Sequence, residues 1–207
     1  MDTPIVYSDA SIIVLDKPTG LLTVPGRGPM NQVNLAAQIQ RRFPDALVVH
    51  RLDRDTSGLV VMARGCESQR HLSRQFEQRL VAKRYIALVE GCPQTAFGRI
   101  ELPIRKDFER PPRHCVDYVL GRAAITDWRI VARDPARTRL ELVPVTGRSH
   151  QLRIHLTEIG HPVVGDSLCG GEGALAMSDR LLLHATRLGI THPTTGVAMT
   201  WVSDCPF

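Results

Sequence analysis

The sequence lacks the features that mark membrane and secreted proteins. None of its 207 residues belongs to a run approaching the roughly 20 apolar residues of a membrane span. The opening stretch, MDTPIVYSDASIIVLDKP, lacks the basic region followed by a long apolar run that forms a secretory signal. We therefore expect a cytoplasmic protein with no membrane partner.

The usual patterns of metal-binding and disulfide-rich proteins are also missing. The five cysteines are widely spread and include no C-x-x-C pair, so neither a disulfide framework nor a zinc knuckle is predicted. His150 and His155 are too far apart in sequence to share one face of a helix, and no acidic residue near them or near His161 has the spacing of a metal ligand. We predict no metal site.

Repeats, low-complexity tracts and Gly/Ser linkers are likewise absent. A chain of 207 residues with 43% hydrophobic content is large enough to bury a core of its own. We therefore expect one domain over residues 1–207, acting as a monomer.

Short runs rich in β-branched residues recur between turn signals and predict strands. The predicted strands are 11–15, 59–63, 84–90, 125–132 and 139–145. They outnumber the helical stretches and do not alternate with them regularly, which argues against a doubly wound parallel sheet. The pattern predicts an α+β fold with a mixed, largely antiparallel central sheet and flanking helices.

Two helices are predicted from apolar spacing and capping. Leu72, Phe76 and Leu80 recur every fourth residue and indicate an amphipathic helix with a basic face. A second helix, HQLRIHLTEI, follows Ser149 as its predicted N-cap and ends at Gly160.

Arg153 lies on the flank of the second helix's apolar stripe, which Leu152, Leu156 and Ile159 form. Two interpretations remain open for it. A guanidinium that bends toward the interior needs a carboxylate partner, whereas a snorkelling arginine keeps its head in water.

Positive charge is concentrated in one proline-interrupted segment, PIRKDFERPPRH. The whole chain carries a net charge of +5, and this segment holds Arg105, Lys106, Arg110, Arg113 and His114. Its prolines exclude a helix interior and predict an exposed loop, which is either a phosphate-binding surface or simply solvated.

The stretch HRLDRDTSG places Asp53 and Asp55 between arginines in a turn-rich loop. Together with KRYIALVEG and TGRSHQLRIHLTEIGHPVVGD, it resembles the motifs of the RluA-type pseudouridine synthases. The segments LDKPTGLLTVPG and RLLLHATRLGITHP resemble the opening and closing segments of that family. The resemblance is strongest to its short dual-specificity members, which modify a tRNA anticodon-loop uridine and a hairpin uridine of 23S rRNA. These members lack the N-terminal S4 module of many relatives, and we expect none here.

The resemblance implies the pseudouridine synthase fold with a catalytic cleft across the sheet. It makes Asp53 the catalytic carboxylate, Tyr85 the aromatic residue that stacks on the target base, and Arg153 the ion-pair partner of Asp53. Arg51 is implied to enter the RNA where the uridine has left the stack, and Asp55 is expected to be dispensable. The residues that we expect to bind the substrate RNA are Arg51, His50, Thr56, Arg148, His150, Arg105, Lys106, Arg110 and Arg113.

Isomerisation of uridine involves no net oxidation and no outside group, so we expect no cofactor. A positioned carboxylate is needed, either as a nucleophile toward the base or sugar or as a base that removes a sugar proton. Two other classes remain open. A nucleoside or glycan hydrolase would give Asp53 and Asp55 distinct roles. A non-catalytic RNA-binding protein would not need Asp53, Tyr85 and Arg153 together.

Overall fold

The computed structural model describes residues 3–26 and 33–207. The chain forms two compact units, Met1–Lys83 with His184–Pro206 and Arg84–Leu183 with Phe207. Each unit has its own cluster of buried apolar side chains. The expectation that residues 1–207 act as one domain stays a prediction.

The helices and strands follow one another along both units. In chain order they are β1 (Ile5–Ser8), β2 (Ile12–Lys17), α1 (Leu35–Gln40), β3 (Ala46–Val48), β4 (Ser57–Arg64), α2 (Gly65–Glu77), β5 (Ala82–Glu90), β6 (Phe97–Glu101), β7 (Ile104–Lys106), β8 (His114–Val116), β9 (Ile125–Arg133), β10 (Arg137–Pro144), α3 (Gln151–Glu158), α4 (Glu172–Ala176), β11 (Leu183–Thr191) and β12 (Ala198–Val202).

The strands of the first unit surround β4. This strand is buried along nearly its whole length, as expected for a continuous apolar run. It pairs antiparallel with β2 and with β3, and parallel with β11, which in turn pairs antiparallel with β12. Gly58 has φ of 109° and lies against the Ala185 backbone, where an added Cβ would meet Ala185 O at 2.4 Å. Only glycine fits that position.

A buried chain of hydrogen bonds joins four strands or strand ends of the first unit. Ser203 Oγ donates to Asp16 Oδ2 at 2.5 Å. Because that bond uses the single hydroxyl hydrogen of Ser203, His184 Nε2 donates to Ser203 Oγ at 3.0 Å. His184 Nδ1 and Ser57 Oγ share a further bond of 2.9 Å. These hydrogen bonds fix the start of β4, which directly follows the HRLDRDT segment.

Helix α2 confirms the first predicted helix but ends early. Leu72 is fully buried and Phe76 packs against the core of the first unit. Leu80, however, lies beyond the helix and is 65% exposed, so its placement on the apolar face was wrong. The helix ends at Glu77, and Arg79 adopts a positive φ of 59° that breaks the helical path.

The second unit contains an antiparallel sheet in the order β5, β10, β9 and β6. Strands β5, β9 and β10 coincide with the predicted runs at 84–90, 125–132 and 139–145, whereas β6 was not predicted. Taken with the largely antiparallel pairing around β4, they confirm the α+β class with a mixed, mostly antiparallel sheet and a few helices. Trp128 of β9 is buried in the core cluster of this unit.

The basic segment forms a β-hairpin, in which residues 107–113 are the predicted loop and the two short strands beside it were not predicted. Its strands β7 and β8 pair antiparallel from Ile104 opposite Val116 to Lys106 opposite His114. The strands are only three residues each because the prolines lie between them, outside the ladder.

Helix α3 differs from its prediction in two ways. Ser149 does not cap it; the preceding residue is His150, with φ of 56° and no side-chain cap bond. All residues from Gln151 to Leu156 are buried, so the helix is enclosed rather than amphipathic. Gly160, with φ of 82°, follows the helix as predicted.

Candidate active site

Asp53 lies in the irregular segment 49–56, which connects β3 to β4. Arg51 and Arg54 are exposed, Asp53 and Asp55 are partly buried, and the Leu52 side chain turns into the core with 5% exposure. The loop is therefore anchored by Leu52 while its two arginines face outward and its two aspartates are partly covered.

Thr23 holds the backbone immediately before Asp53. Its hydroxyl accepts a hydrogen bond from Leu52 N at 3.2 Å and donates one to Leu52 O at 2.8 Å. Thr23 is 2% exposed, so water does not compete for these bonds. A single side chain therefore satisfies both backbone groups of the residue that precedes the candidate catalyst.

Lys17 holds the backbone immediately after Asp53. Its ammonium group is fully buried and donates to Arg54 O at 2.9 Å, Pro18 O at 2.9 Å and Leu21 O at 2.8 Å. Burial of an ammonium is costly unless its donors are satisfied, and three carbonyls satisfy them here. The charge thus ties the opening LDKPTG segment to the Asp53 loop.

Two more bonds connect the same segments at the surface. Thr19 Oγ1 donates to Asp55 O at 2.7 Å, and Arg54 Nε donates to Gly20 O at 3.2 Å. The first bond uses the backbone of Asp55 and not its carboxylate.

His50 supports the loop from the side of the core. Its Nε2 accepts a hydrogen bond from Val61 N at 3.0 Å, and its ring stacks on Phe76 with centroids 4.4 Å apart. Burial, with a further contribution from the charge of Lys83, lowers the pKa of His50 from 6.5 to about 3. The imidazole is therefore neutral at physiological pH.

Thr56, at the end of the same loop, is also buried, with 2% exposure. Contact of His50 or Thr56 with RNA stays a prediction.

The remaining predicted catalytic residues belong to the second unit. Tyr85 lies on β5 opposite Leu142 of β10 and packs against the apolar core cluster there. The neighbouring Arg84 forms a surface ion pair with Glu141 at 3.1 Å. Arg129 pairs with the same carboxylate at 2.7 Å. The sheet thus places the tyrosine side chain on its core face, whereas the Arg84, Glu141 and Arg129 side chains lie on the opposite face.

Arg153 has a carboxylate partner within its own unit, which is Asp166. Arg153 Nε donates to Asp166 Oδ2 at 2.8 Å and Arg153 Nη2 donates to Asp166 Oδ1 at 2.5 Å. Their side chains are 3% and 0% exposed, so the snorkelling interpretation of Arg153 was wrong. Burial opposes ionisation of Asp166, but the bonds and charge of Arg153 outweigh it and lower the pKa of Asp166 below its usual value.

Helix α3 is itself fixed by a buried polar network on β9. Thr126 Oγ1 accepts from Gln151 Nε2 at 3.0 Å and bonds His155 Nδ1 at 3.0 Å, while His155 Nε2 donates to Leu102 O at 3.1 Å. Burial lowers the pKa of His155, which favours the neutral ring and makes Nδ1 the acceptor. The network sets the rotation of the helix that carries Arg153.

The predicted RNA-binding residues Arg148 and His150 lie just before α3. Arg148 Nε donates to Ala123 O at 3.2 Å. The His150 ring meets the His114 ring of β8 edge to face, with centroids 5.1 Å apart. The structure therefore brings the basic hairpin and the start of α3 together within the second unit.

The cations of the hairpin fall into two classes. Arg105 pairs with Asp117 at 2.5 Å, and Arg110 pairs with Asp107 at 3.0 Å. Hydrogen bonds from Leu120 N and Arg105, with a third from Val119 N, lower the pKa of Asp117 to about 2.

By contrast, Lys106 lies over the Phe108 ring at 5.4 Å, and Arg113 is exposed at the surface. Only part of the segment's positive charge is thus paired with carboxylates in the hairpin itself.

Sequence reasoning missed four supporting residues: Lys17, Thr19, Thr23 and Asp166. All four stand inside segments that carried the family resemblance, LDKPTGLLTVPG and HPVVGD. Their partners are distant in sequence or are backbone groups, so no local pattern reveals them.

Two other features are absent from the described residues. Within 3–26 and 33–207, no three His, Cys, Asp or Glu side chains are grouped as they would be to hold a metal ion. The helices of those same ranges include none that is long and apolar enough to cross a bilayer.

Comparison with known proteins relates the whole chain to one family. The family model for RNA pseudouridylate synthase matches residues 11–158. The dual-specificity RNA pseudouridine synthase RluA of Yersinia pestis is 43% identical over 204 residues, which cover 98% of this chain and 99% of that protein. The protein of the same name from Escherichia coli strain K12 is 44% identical, with coverage of 98% and 93%.

Solved structures agree with these relatives. The human protein RNA Pseudouridylate Synthase Domain Containing 1 matches with a TM-score of 0.83 at 30% identity, over 99% of this chain and 84% of that one. Human RNA Pseudouridylate Synthase Domain Containing 4 shares the fold, with a TM-score of 0.74 at 23% identity, over 98% and 88%. The resemblance of the chain to the RluA-type pseudouridine synthases is thereby confirmed, and the chain belongs to the RNA pseudouridylate synthase family, whose named members are isomerases.

Proposed function

We propose that this protein converts uridine to pseudouridine in structured RNA, at a tRNA anticodon-loop uridine, a hairpin uridine of 23S rRNA, or both. The observation that carries the proposal is the support of Asp53, whose neighbours Leu52 and Arg54 are held by the buried side chains of Thr23 and Lys17. The dual-specificity name of relatives 43% to 44% identical supports the choice of RNA. The protein works as a single catalytic domain and a monomer in the cytoplasm.

Asp53 supplies the carboxylate of the reaction. The bond between N1 and C1′ of the uridine breaks, the detached uracil turns, and C5 bonds to C1′ while the C5 proton leaves and N1 gains one. Atoms and electrons balance without an outside reagent. The carboxylate acts as a nucleophile or as a base toward the sugar, and both roles require its ionised form.

Arg153 and Tyr85 serve the same step. Arg153 stabilises the ionised Asp53 and fixes its orientation, because a guanidinium can bond a carboxylate through two parallel N–H groups. Tyr85 offers a ring face to the uracil, and its hydroxyl assists in removing the C5 proton.

Access to the uridine requires the base to leave its stack, at a cost of a few kcal/mol. Arg51 is exposed next to the anchored Leu52, and its planar guanidinium can stack and hydrogen-bond in the vacated position. Arg51→Ala should therefore lose activity mainly on hairpins, and less on an RNA whose target uridine is already unstacked. Equal losses on the two RNAs would contradict this role.

The decisive experiment compares Asp53→Asn with Asp55→Asn in tritium release from stem-loop RNA containing [5-³H]uridine. Asparagine keeps the shape of aspartate but removes its charge, nucleophilicity and basicity. Asp53→Asn should bind the RNA with nearly unchanged affinity and form no detectable pseudouridine. Asp55→Asn should retain most activity, since its backbone bond to Thr19 is unaffected.

Other outcomes would assign a different function. An active Asp53→Asn with an inactive Asp55→Asn would reverse the assignment. Free uracil released by the wild type would identify a hydrolase, and RNA binding without any product would identify a non-catalytic binding protein.

A further inference from the structure

The side chain that fixes Arg153 is a carboxylate from outside α3. Asp166 follows the helix in the HPVVGD segment and is completely buried. It accepts both Arg153 Nε and Arg153 Nη2, which is the two-bond arrangement that defines the plane of a guanidinium as well as its position.

Asp166 is also fixed by its own loop. Its Oδ1 accepts backbone hydrogen bonds from Leu168 N at 2.9 Å and Cys169 N at 2.8 Å. The carboxylate therefore cannot rotate without breaking the turn that follows it. Its orientation is set by the backbone, and it passes that orientation to the guanidinium.

The two oxygens of Asp166 have different tasks. Oδ1 serves the turn as well as Arg153 Nη2, whereas Oδ2 accepts from Arg153 Nε at 2.8 Å. Nε and Nη2 form one edge of the guanidinium, and Nη1 lies on the opposite side. An arginine held along that edge presents its remaining N–H groups in one fixed direction.

We propose that Asp166 is a positioning residue for catalysis: it holds Arg153 by its Nε–Nη2 edge so that the Nη1 side of the guanidinium is presented to the catalytic carboxylate. The inference rests on the proposed function, since it requires Arg153 to act on Asp53. Asp166 itself does not touch the substrate. It acts through Arg153, and its removal should change the rate of the chemical step rather than RNA affinity.

Asp166→Asn separates the two tasks of the carboxylate. With the amide oxygen in the place of Oδ1, the bonds to Leu168 N and Cys169 N remain. The amide nitrogen then replaces Oδ2 and opposes Arg153 Nε, so two donors face each other and the guanidinium must turn. Thr157→Val is the matched control. It removes a bond of 3.2 Å from α3 to Cys169 O in the same turn and leaves Arg153 untouched.

The measurement is single-turnover tritium release at saturating enzyme, with a [5-³H]uridine anticodon stem-loop and a 23S rRNA hairpin as probes. Asp166→Asn should slow the chemical step by about 10- to 100-fold, the range expected when a group that orients a functional side chain is removed. Its RNA dissociation constant should stay within about threefold of wild type, and Thr157→Val should stay within about twofold in both measurements.

Repeating the Asp166→Asn substitution in the Arg153→Lys variant distinguishes positioning from general structural damage. Lysine at position 153 cannot make the two-bond contact, so Asp166 has no guanidinium to orient in Arg153→Lys. Adding Asp166→Asn to Arg153→Lys should cost less than about threefold, because mutations that act through one group are not additive. Losses that multiply in the double variant, or a single Asp166→Asn variant as fast as wild type, would overturn the proposal.

Stability is followed by thermal unfolding of each variant, because an unpaired buried arginine is costly. If Asp166→Asn does not fold, Asp166→Glu keeps the charge but shifts the guanidinium by the extra methylene. It should fold and show the same slow chemical step, and full activity would contradict the inference. A wild-type protein that releases no tritium from either RNA would refute the proposed function itself. Full activity of Arg153→Lys would refute only the role of the arginine and of Asp166.

Discussion

The Asp53 loop and the basic hairpin are built on opposite principles. The loop is held by buried side chains that bond its backbone, with Lys17 and Thr23 at 0% and 2% exposure. The hairpin is organised by ion pairs at the surface, where the side chain of Arg110 remains 69% exposed. Buried bonds give a fixed geometry that salt does not screen, whereas surface pairs exchange readily with other anions. Catalysis requires the fixed geometry of buried hydrogen bonds, whereas binding of a phosphate backbone can use side chains in surface ion pairs.

The largest effect should come from the buried side of this comparison. Lys17→Met removes three donors and leaves the carbonyls of Pro18, Leu21 and Arg54 without that partner. At about 1–3 kcal/mol for each unsatisfied buried group, we expect a loss of roughly 3 kcal/mol or more in the free energy of unfolding, measured with urea. Pseudouridine formation should fall with it.

Arg54→Ala is the control for Lys17→Met. It cuts an exposed bond between the same two segments, to Gly20 O, and should change the free energy of unfolding by less than about 0.5 kcal/mol. Similar losses in the two variants would erase the distinction between buried and surface support.

An intermediate effect should come from the hairpin. Replacing Arg105, Lys106, Arg110 and Arg113 together by alanine should weaken RNA binding and flatten its dependence on salt. The logarithmic slope should fall by about 0.7 to 0.9 for each phosphate that the protein no longer neutralises. Stability should change little, because the side chains are partly or fully exposed. An unchanged slope would remove the hairpin from the RNA-binding surface.

Pairs of substitutions sharpen this test. Arg105 and Arg110 already bond Asp117 and Asp107, and they must leave those carboxylates to meet a phosphate. Alanine at Lys106 and Arg113 should therefore flatten the slope more than alanine at Arg105 and Arg110. The reverse order would show that the ion pairs present the guanidiniums to RNA rather than withhold them.

The effect that is smallest near neutral pH, and grows only as the pH falls, concerns protonation of His50. The pKa of His50 falls from 6.5 to about 3 on folding, so the unfolded chain binds the extra proton. Its contribution to stability is complete above about pH 6.5 and is lost as the pH falls toward about 3, by at most about 1.4 kcal/mol per pH unit. Gln in place of His50 keeps an acceptor for Val61 N without this titration. Parallel plots of unfolding free energy against pH for wild type and His50→Gln would contradict the assignment.

Strands with a strong local pattern were predictable from the sequence. The runs that became β4, β5, β9 and β10 are long and rich in β-branched residues. The hairpin strands β7 and β8 were missed because three residues beside a proline-rich turn carry no periodicity. Their pairing depends on tertiary context.

The site was predictable only as far as its motifs reach. The HRLDRDTSG and HQLRIH segments made Asp53 and Arg153 candidates, and the position of Arg153 on the helix left open whether it bonds a carboxylate or keeps its head in water. The identity of a partner inside the same unit did not follow, since Asp166 lies 13 residues downstream and the contact forms only when the chain turns back. Lys17 donates to backbone carbonyls, which every residue type has. No particular residue type in the sequence therefore marks its partners.

The bond between Ser57 and His184 has a consequence for synthesis of the protein. The two residues are 127 positions apart, and β4 pairs with β11 beside this bond. Chains emerge from the ribosome N-terminus first, so the loop that carries Asp53 is translated long before the strand that completes its sheet. A nascent chain that already contains every proposed catalytic residue still lacks His184, which bonds Ser57 at the start of β4. The Asp53 loop must therefore wait for residues 184–203 before its full support exists, which delays assembly of the site until late in translation.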